Sequence, residues 1–304
     1  MNLRRTTPRR SLGGSVVQRN LEAAGFAIED RHNALVETAR PSLQAFDSVL
    51  VQNAWNVIPE SVFISLLRLY PAPMRSRMIA RRRLAAFNIK RARKVVFLSN
   101  SAAEASQWLD IREVVVSPIH GSIIRTEEPS AAVMQTKYDN VLVIPGTVTW
   151  YKRPDLALEC LEVLQSTSMD KLALHFVGPE DRSGCSELLR KKAAEKPSSV
   201  EIYQLPHADM QYAIRQAYAV VIPSALETLS LSFLEAAVQA KRLIASPIPV
   251  HLELAATIGV EPTWLGVQSS PGEAFNKGFV SPSEVRAQWN RLGKTLNLTR
   301  LYGH

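Results

Sequence analysis

The chain has 304 residues, 46% hydrophobic and 21% charged, with a formal net charge of +8. That length accommodates two domains of ordinary size, and the composition excludes a disordered chain. No run approaches the roughly 18 consecutive apolar residues of a membrane span, and the basic Met1–Arg10 stretch leads into no apolar run of signal-peptide length.

The expectation is therefore a folded, water-soluble chain with neither leader nor transmembrane helix. Its two cysteines, Cys160 and Cys185, accompany no histidine cluster or second pair that would suggest zinc, so a reduced, cytoplasmic protein is expected. The charge is lopsided: residues 1–140 hold 20 Lys and Arg against 12 Asp and Glu, whereas residues 141–304 hold 16 of each. The densest stretch, Met74 to Lys94, carries nine cations and no acid. An anionic partner on the first-half side follows from that asymmetry.

Taken in chain order, GGSVVQRNLEAAG (13–25) reads as a loop at Gly13 and Gly14 opening a helix that stops at Gly25. SVLVQN (48–53) and KVVFLSN (94–100) read as strands flanking a helical basic segment. No apolar strand precedes Gly13, so the first lobe is either trimmed at its first strand or completed by a strand from elsewhere. The polar segment Thr126 to Asn140 reads as a linker between a first lobe (1–125) and a second (141–304) with a helical tail. From Val141 the chain alternates strand and helix. The strands are VLVIPG (141–146), KLALHFVG (171–178), VEIYQL (200–205), AVVIPS (219–224) and RLIAS (242–246). The helices between them are 153–165, 186–196, 208–217 and 232–241. This alternation predicts a parallel sheet wrapped by helices. Ligands of such sheets sit outside the carboxyl ends of the strands, which nominates Gly146, Gly178, Leu205 to His207, Pro223 to Glu227 and Ser246.

The stretch from Pro223 to Glu253, PSALETLSLSFLEAAVQAKRLIASPIPVHLE, carries the most chemistry. A strand ends at Pro223, a loop holds Glu227, and a helix begins near Glu235, eight positions on. Small side chains at Ser224, Ser230 and Ser232 let a diphosphate approach the free amides of the helix start, where the dipole favours negative charge. A carboxylate in the first helical turn can accept from both hydroxyls of a ribose, and one in the preceding loop can hold sugar hydroxyls. Ser232 to Glu235 also fits a capping box, which would turn Glu235 back onto its own helix. Glu227 can equally be a solvated loop residue.

This string resembles the E-x7-E region of the retaining glycosyltransferases of family 4 (glycosyltransferase group 1), which have the GT-B fold. GTVTWYKRPDLALE (146–159), HFVGPED (175–181), YQLPHADM (203–210) and ARKVVFLSNSAAEASQWL (92–109) follow in that family's order. The resemblance covers about Ala92 to Glu253 and implies an α/β protein of two Rossmann-like lobes. It implies a metal-independent transferase that uses a nucleotide sugar as donor substrate, needs no further cofactor and keeps the sugar's configuration. By position, Glu235 would hold the ribose and Glu227 the transferred sugar. Lys152 would hold the diphosphate, with Arg153 as the alternative contact and the amides around Leu229, Ser230 and Leu231 assisting. Catalysis would fall to Glu227 and Lys152. Gly146, Gly178 and His207 complete the donor-side set, His207 reaching the base or simply opening a helix.

Some positions depart from the family pattern. Thr147 stands where an arginine is usual, Thr228-Leu229-Ser230 replaces Gly-Phe-Gly, and Ala240-Lys241 replaces a small-Gly pair. Gly13, Gly14 and Asn53 are the acceptor-side candidates, and His120-Gly121 falls at the hinge. The basic segment 74–94 admits three readings: a solvated helix, a peripheral membrane contact, or a seat for a nucleic-acid or other anionic acceptor. Relatives that work on lipid-linked acceptors make glycan or glycolipid assembly at the membrane surface the expected setting. The rival functions are a catalytically weakened pseudoenzyme serving as a binding module and another GT-B enzyme such as a nucleotide-sugar epimerase.

Overall fold

Two parallel sheets organise the chain, seen in a computed structural model that describes residues 34–35, 46–116, 128–166, 171–181, 183–195 and 200–265. The predicted helix at 13–25, with Gly13 and Gly14, and the His120-Gly121 pair lie outside the described residues. The first lobe's strands are β1 (Ala34–Leu35), β2 (Ser48–Leu50), β3 (Lys94–Phe97) and β4 (Val114–Val116), hydrogen-bonded in that order and all parallel. Val49, Val95 and Phe97 are wholly buried, as expected of a sheet covered on both faces. The sequence reading includes β2 and β3 but omits β1 and β4, which are only two and three residues long.

Between β2 and β3 the chain makes a short 3₁₀ turn (Ala54–Asn56), helix α1 (Glu60–Leu67) and the 20-residue helix α2 (Ala72–Arg91). Helix α2 is the basic segment, opened by Pro71 and carrying Pro73 in its first turn, where a missing amide costs nothing. Its inner stripe includes Arg82, Ala85, Asn88 and Ile89. Arg82 is buried, donating from Nη1 to the Trp55 carbonyl at 2.8 Å and from Nη2 to the Ile58 carbonyl. Its guanidinium also lies 4.6 Å from the Phe63 ring centroid and 4.8 Å from that of Trp108. Burial pulls its pKa down to about 10, which still leaves it charged at neutral pH. Arg82 thus ties α2 to the turn after β2. Arg82→Met is expected to lower unfolding free energy by about 2–4 kcal/mol, because two carbonyls lose their donor. Urea unfolding checks this, and a change below about 0.5 kcal/mol would remove Arg82 from the lobe's support.

Helix α3 (Asn100–Ala105) follows β3, and Ser99 caps it by accepting from the Ala102 amide at 3.2 Å. Residues 128–140, read from sequence as a connection, pack onto the second lobe. There helix α4 (Ala131–Met134) begins where the Ser130 amide and hydroxyl donate to Asp209 at 2.6 and 2.8 Å, and Tyr138 is buried.

The second lobe has strands β5 (Val141–Pro145), β6 (Ala173–Val177), β7 (Val200–Tyr203), β8 (Ala219–Ile222), β9 (Leu243–Ala245) and β10 (Thr263–Trp264). All are parallel, in the order β10-β9-β8-β5-β6-β7. Its helices are α5 (Pro154–Ser166), α6 (Cys185–Glu195), α7 (His207–Gln216), α8 (Leu231–Gln239) and α9 (Pro249–Ile258). The core forms in two layers. Leu142, Ile144, Leu174 and Phe176 meet α5 on one face, whereas Val143, Val177, Val220 and Ile222 meet α7 and α8 on the other. This is the strand order of a dinucleotide-binding sheet, and it reverses between β5 and β8. A crevice therefore opens beyond the carboxyl ends of these two strands, at Gly146 and at Pro223. Among the described residues no helix is long and apolar enough to cross a membrane.

The lobes meet through side chains. Ser99 Oγ donates to the Thr228 carbonyl at 2.7 Å, and Thr228 Oγ1 donates to the Gln52 carbonyl at 3.1 Å. Glu253 of α9 accepts from the Asn100 amide and the Ser101 amide, both at 2.8 Å, from Asn100 Nδ2 at 2.9 Å and from the Ser101 hydroxyl. Trp55, Leu67 and Tyr70 pack with Trp150, Tyr151 and Leu226 across the same seam.

Candidate active site

Gly146 ends β5 at a φ of +104°, a conformation that a side chain would strain. A Cβ added there would stand 3.3 Å from Ser232 Oγ and 3.4 Å from Lys152 Nζ, so β5, the 3₁₀ turn Trp150–Lys152 and the start of α8 converge. Gly178, at the end of β6, passes still closer to Gly146: a Cβ there would fall 2.2 Å from the Gly146 carbonyl oxygen. The two glycines are what allow the strand ends to touch.

Lys152 Nζ reaches Glu227 Oε1 at 3.1 Å, and Ser224 Oγ donates to the same oxygen at 2.9 Å. Both charged side chains are mostly buried, at 13% and 11% exposure, so the pair is shielded from bulk water and coupled more strongly than a surface bridge. Oε2 of Glu227 has no donor among the described residues. Tyr151 lies partly buried beside this pair, its pKa pushed up by burial and then by the Glu227 charge. Arg153, the alternative phosphate contact, sits in the left-handed region at φ 49° and is held by Asp155, with Nη2 2.7 Å from Oδ2.

Ser230 is the N-cap residue of α8, and the helix begins at Leu231. Leu231, Ser232 and Phe233 therefore offer amides without partners in their own helix. The loop Thr228-Leu229-Ser230 achieves this without a positive φ, since Arg153 is the only non-glycine with one among the described residues. The capping-box alternative for Glu235 is not realised. The helix starts before Ser232, and the Glu235 carboxylate turns to His207, its Oε1 2.7 Å from Nε2 with both side chains 7% exposed. His207 is the first residue of α7, as the helix-opening reading of it has it. His251, in the first turn of α9, is wholly buried and stacked on Phe233 at 4.8 Å. Burial, opposed by a hydrogen bond to the Ser246 carbonyl and aided by the charge of Lys152, brings its pKa down to about 3, so it is neutral.

On the first-lobe side, Asn53 accepts from the Trp55 amide at 3.0 Å and caps the 3₁₀ turn. With Gln52, Trp55, Tyr151, Glu227 and Leu229 it lines a cavity of about 100 Å³ between the lobes. Asn53 and Glu227 thus face one space.

Residues 127–258 match the family model described as glycosyl transferases group 1. The matched segment contains every donor-side residue named above, from Gly146 to Glu235. No curated protein matches the sequence. Among solved structures, WaaG, a glycosyltransferase involved in lipopolysaccharide biosynthesis, is 14% identical with a TM-score of 0.58. The match covers 99% of this chain and 82% of WaaG. An E. coli structure described as trehalose-6-phosphate bound with UDP-2-fluoro glucose is 10% identical with a TM-score of 0.53, over 82% of this chain and 64% of that one. This chain therefore spans less than two thirds of that relative's length. These likenesses establish the fold: two Rossmann-like lobes of GT-B type.

The sequence reading omits Tyr151 and the seam made by Thr228, Ser99 and Glu253, none of which carries a local signal. Ser232, named there only as a small side chain near the helix start, stands one position beyond the start of α8 and against Gly146.

Proposed function

We propose that this chain transfers a sugar from a nucleotide sugar to an acceptor with retention of configuration. The observation that carries the reading is the convergence of Gly146, Lys152 and Glu227 on the open amides of α8 at the sheet's reversal point. The donor's diphosphate would lie on those amides beside Lys152. As the bond from the sugar to the diphosphate breaks, negative charge grows on the leaving oxygen, and preorganised donors hold it without reorganising. Glu227, fixed through Oε1, offers Oε2 to the sugar's hydroxyls. The leaving phosphate itself takes the acceptor's proton, so no separate base is required. The acceptor approaches from the Asn53 side.

Helix α2 supports a second element of the proposal, peripheral contact with an anionic membrane surface and hence a lipid-linked acceptor. Its outward face carries Arg75, Arg77, Arg81, Arg83 and Lys90 exposed, with Phe87 half exposed under the Arg91 guanidinium and Ile79 and Leu84 beside it. Cations interleaved with apolar groups suit a lipid interface better than a nucleic acid, which favours stacked rings.

Thermal unfolding with a panel of nucleoside diphosphates and nucleotide sugars tests the donor site. A ligand at about 100 times its Kd adds roughly 2.7 kcal/mol. A base-selective rise that disappears in Glu235→Ala is the expected result. A folded protein with no selective rise would overturn the assignment, and a selective rise without sugar transfer to any acceptor would leave a binding module.

A further inference from the structure

The buried pair of His207 and Glu235 does more than the sequence motif asks of it. Glu235 sits in α8 and His207 opens α7, 28 residues earlier, and the two helices pack side by side. An ionised carboxylate accepts only, so the proton in the 2.7 Å contact belongs to Nε2. The other ring nitrogen, Nδ1, is buried with no partner. The ring itself is held firmly. It follows Pro206, whose carbonyl accepts from the Met210 amide at 2.9 Å, so the first turn of α7 fixes where Nε2 points.

Glu235, for its part, has Oε1 filled by the imidazole, while Oε2 has no donor among the described residues. A glutamate free to rotate would lose side-chain entropy on gripping a ligand, and one already fixed has less to lose. We infer that His207 is a positioning residue, which pins the Glu235 carboxylate in the orientation that leaves Oε2 to accept a hydroxyl of the donor's ribose. It acts through Glu235 and takes no part in the chemical step. The inference rests on the reading of Glu235 as the ribose carboxylate and adds what holds it in place.

The test pairs ligand and protein changes. Calorimetric affinities are measured for the diphosphates of uridine, guanosine and adenosine and for their 2′-deoxy forms. The proteins are the wild type, His207→Leu, His207→Asn and His207→Gln, each checked for folding by thermal unfolding. Leucine and the short asparagine remove the donor from Oε1, and the glutamine amide reproduces Nε2. The wild type is expected to prefer the ribose form of its nucleotide by about tenfold, the worth of a hydrogen bond to a charged group. That preference is expected to fall to about threefold or less in the folded member of the Leu and Asn pair, and to return in the Gln variant. A residue that merely supported the fold would weaken both ligands equally and leave the ratio alone. An undiminished ratio in either folded variant lacking the donor overturns the inference. A wild type that binds a nucleotide with no preference for ribose, or binds none, removes the ribose role of Glu235 and this inference with it.

Discussion

Replacing Lys152 with alanine is expected to lower kcat for sugar transfer by about 10²–10³-fold, the usual loss when one preorganised donor to a developing oxyanion is removed. The geometry gives Lys152 two partners in turn. In the free protein its ammonium is 3.1 Å from Glu227 Oε1, in a setting where each charge is mostly shielded from water. With donor bound, the same ammonium would be shared with the diphosphate, whose charge increases along the reaction. A lysine that only held Glu227 in place would be partly replaced by Ser224, which already donates to that oxygen at 2.9 Å. The two roles separate in binding. If Lys152 serves the phosphates, Lys152→Ala should erase the preference for a nucleoside diphosphate over the monophosphate, whereas Glu227→Gln should keep it and lose the sugar-dependent part of donor affinity. Initial rates and calorimetry on the same preparations decide the matter. Full transfer activity in Lys152→Ala would remove Lys152 from the catalytic step.

The second lobe was readable because its physics is local. Strands β5 and β8 are short apolar runs bounded by Gly146 and Pro223, and burial on both faces permits no alternation. Helix α5 shows its inward residues, Ala157, Leu161 and Leu164, at helical spacing. Helix α9 has no range of its own in the sequence reading, whose elements end at the strand RLIAS (242–246). Yet Pro249 is its first residue, where proline's fixed φ favours a helix start. The first lobe was less legible, since its strands of two to four residues carry too few side chains to declare a period.

The candidate site divides in the same way. Glu227 and Glu235 stand out by spacing within one strand–loop–helix unit, and Lys152 by its place after a glycine turn. The partner of Glu235 does not, because Ser232-Phe233-Leu234-Glu235 satisfies a local rule that a tertiary contact with His207 overrides. Thr228 is similar. From sequence it is a departure from glycine that costs backbone freedom. In the structure its hydroxyl and carbonyl link Gln52 and Ser99 of the first lobe, a contact that glycine's missing hydroxyl would halve. The family pattern describes the ligand side of that loop, and the residue's other side answers to the opposite lobe.

Gly178→Ala is expected to be the most damaging small substitution to stability. Nothing about its φ demands glycine, since Gly146, Gly184 and Gly259 are the glycines with positive φ among the described residues. The constraint is space. A methyl group would lie 2.2 Å from the Gly146 carbonyl oxygen and 2.6 Å from its carbon, and these are backbone atoms that cannot swing aside. The amides on either side are committed too, with Gly178 donating to the Tyr203 carbonyl and Gly146 to the Val177 carbonyl, both at 2.9 Å. Relief must come from separating β5 and β6 at their carboxyl ends. That overpacking should cost about 3 kcal/mol or more, a fall of roughly 6–12 °C in Tm. Gly259→Ala provides the contrast. It has the left-handed φ of 69° at the end of α9 but nothing within 4 Å of the added methyl, so only the conformational cost of about 1–2 kcal/mol applies. Because Gly146 also abuts Lys152 and Ser232, a Gly178→Ala protein that still folds should bind nucleoside diphosphates more weakly than the wild type, and Gly259→Ala should not. Equal melting temperatures for the two variants would mean that the strand ends yield to a methyl group, and that the close approach of the glycines is not what shapes the crevice.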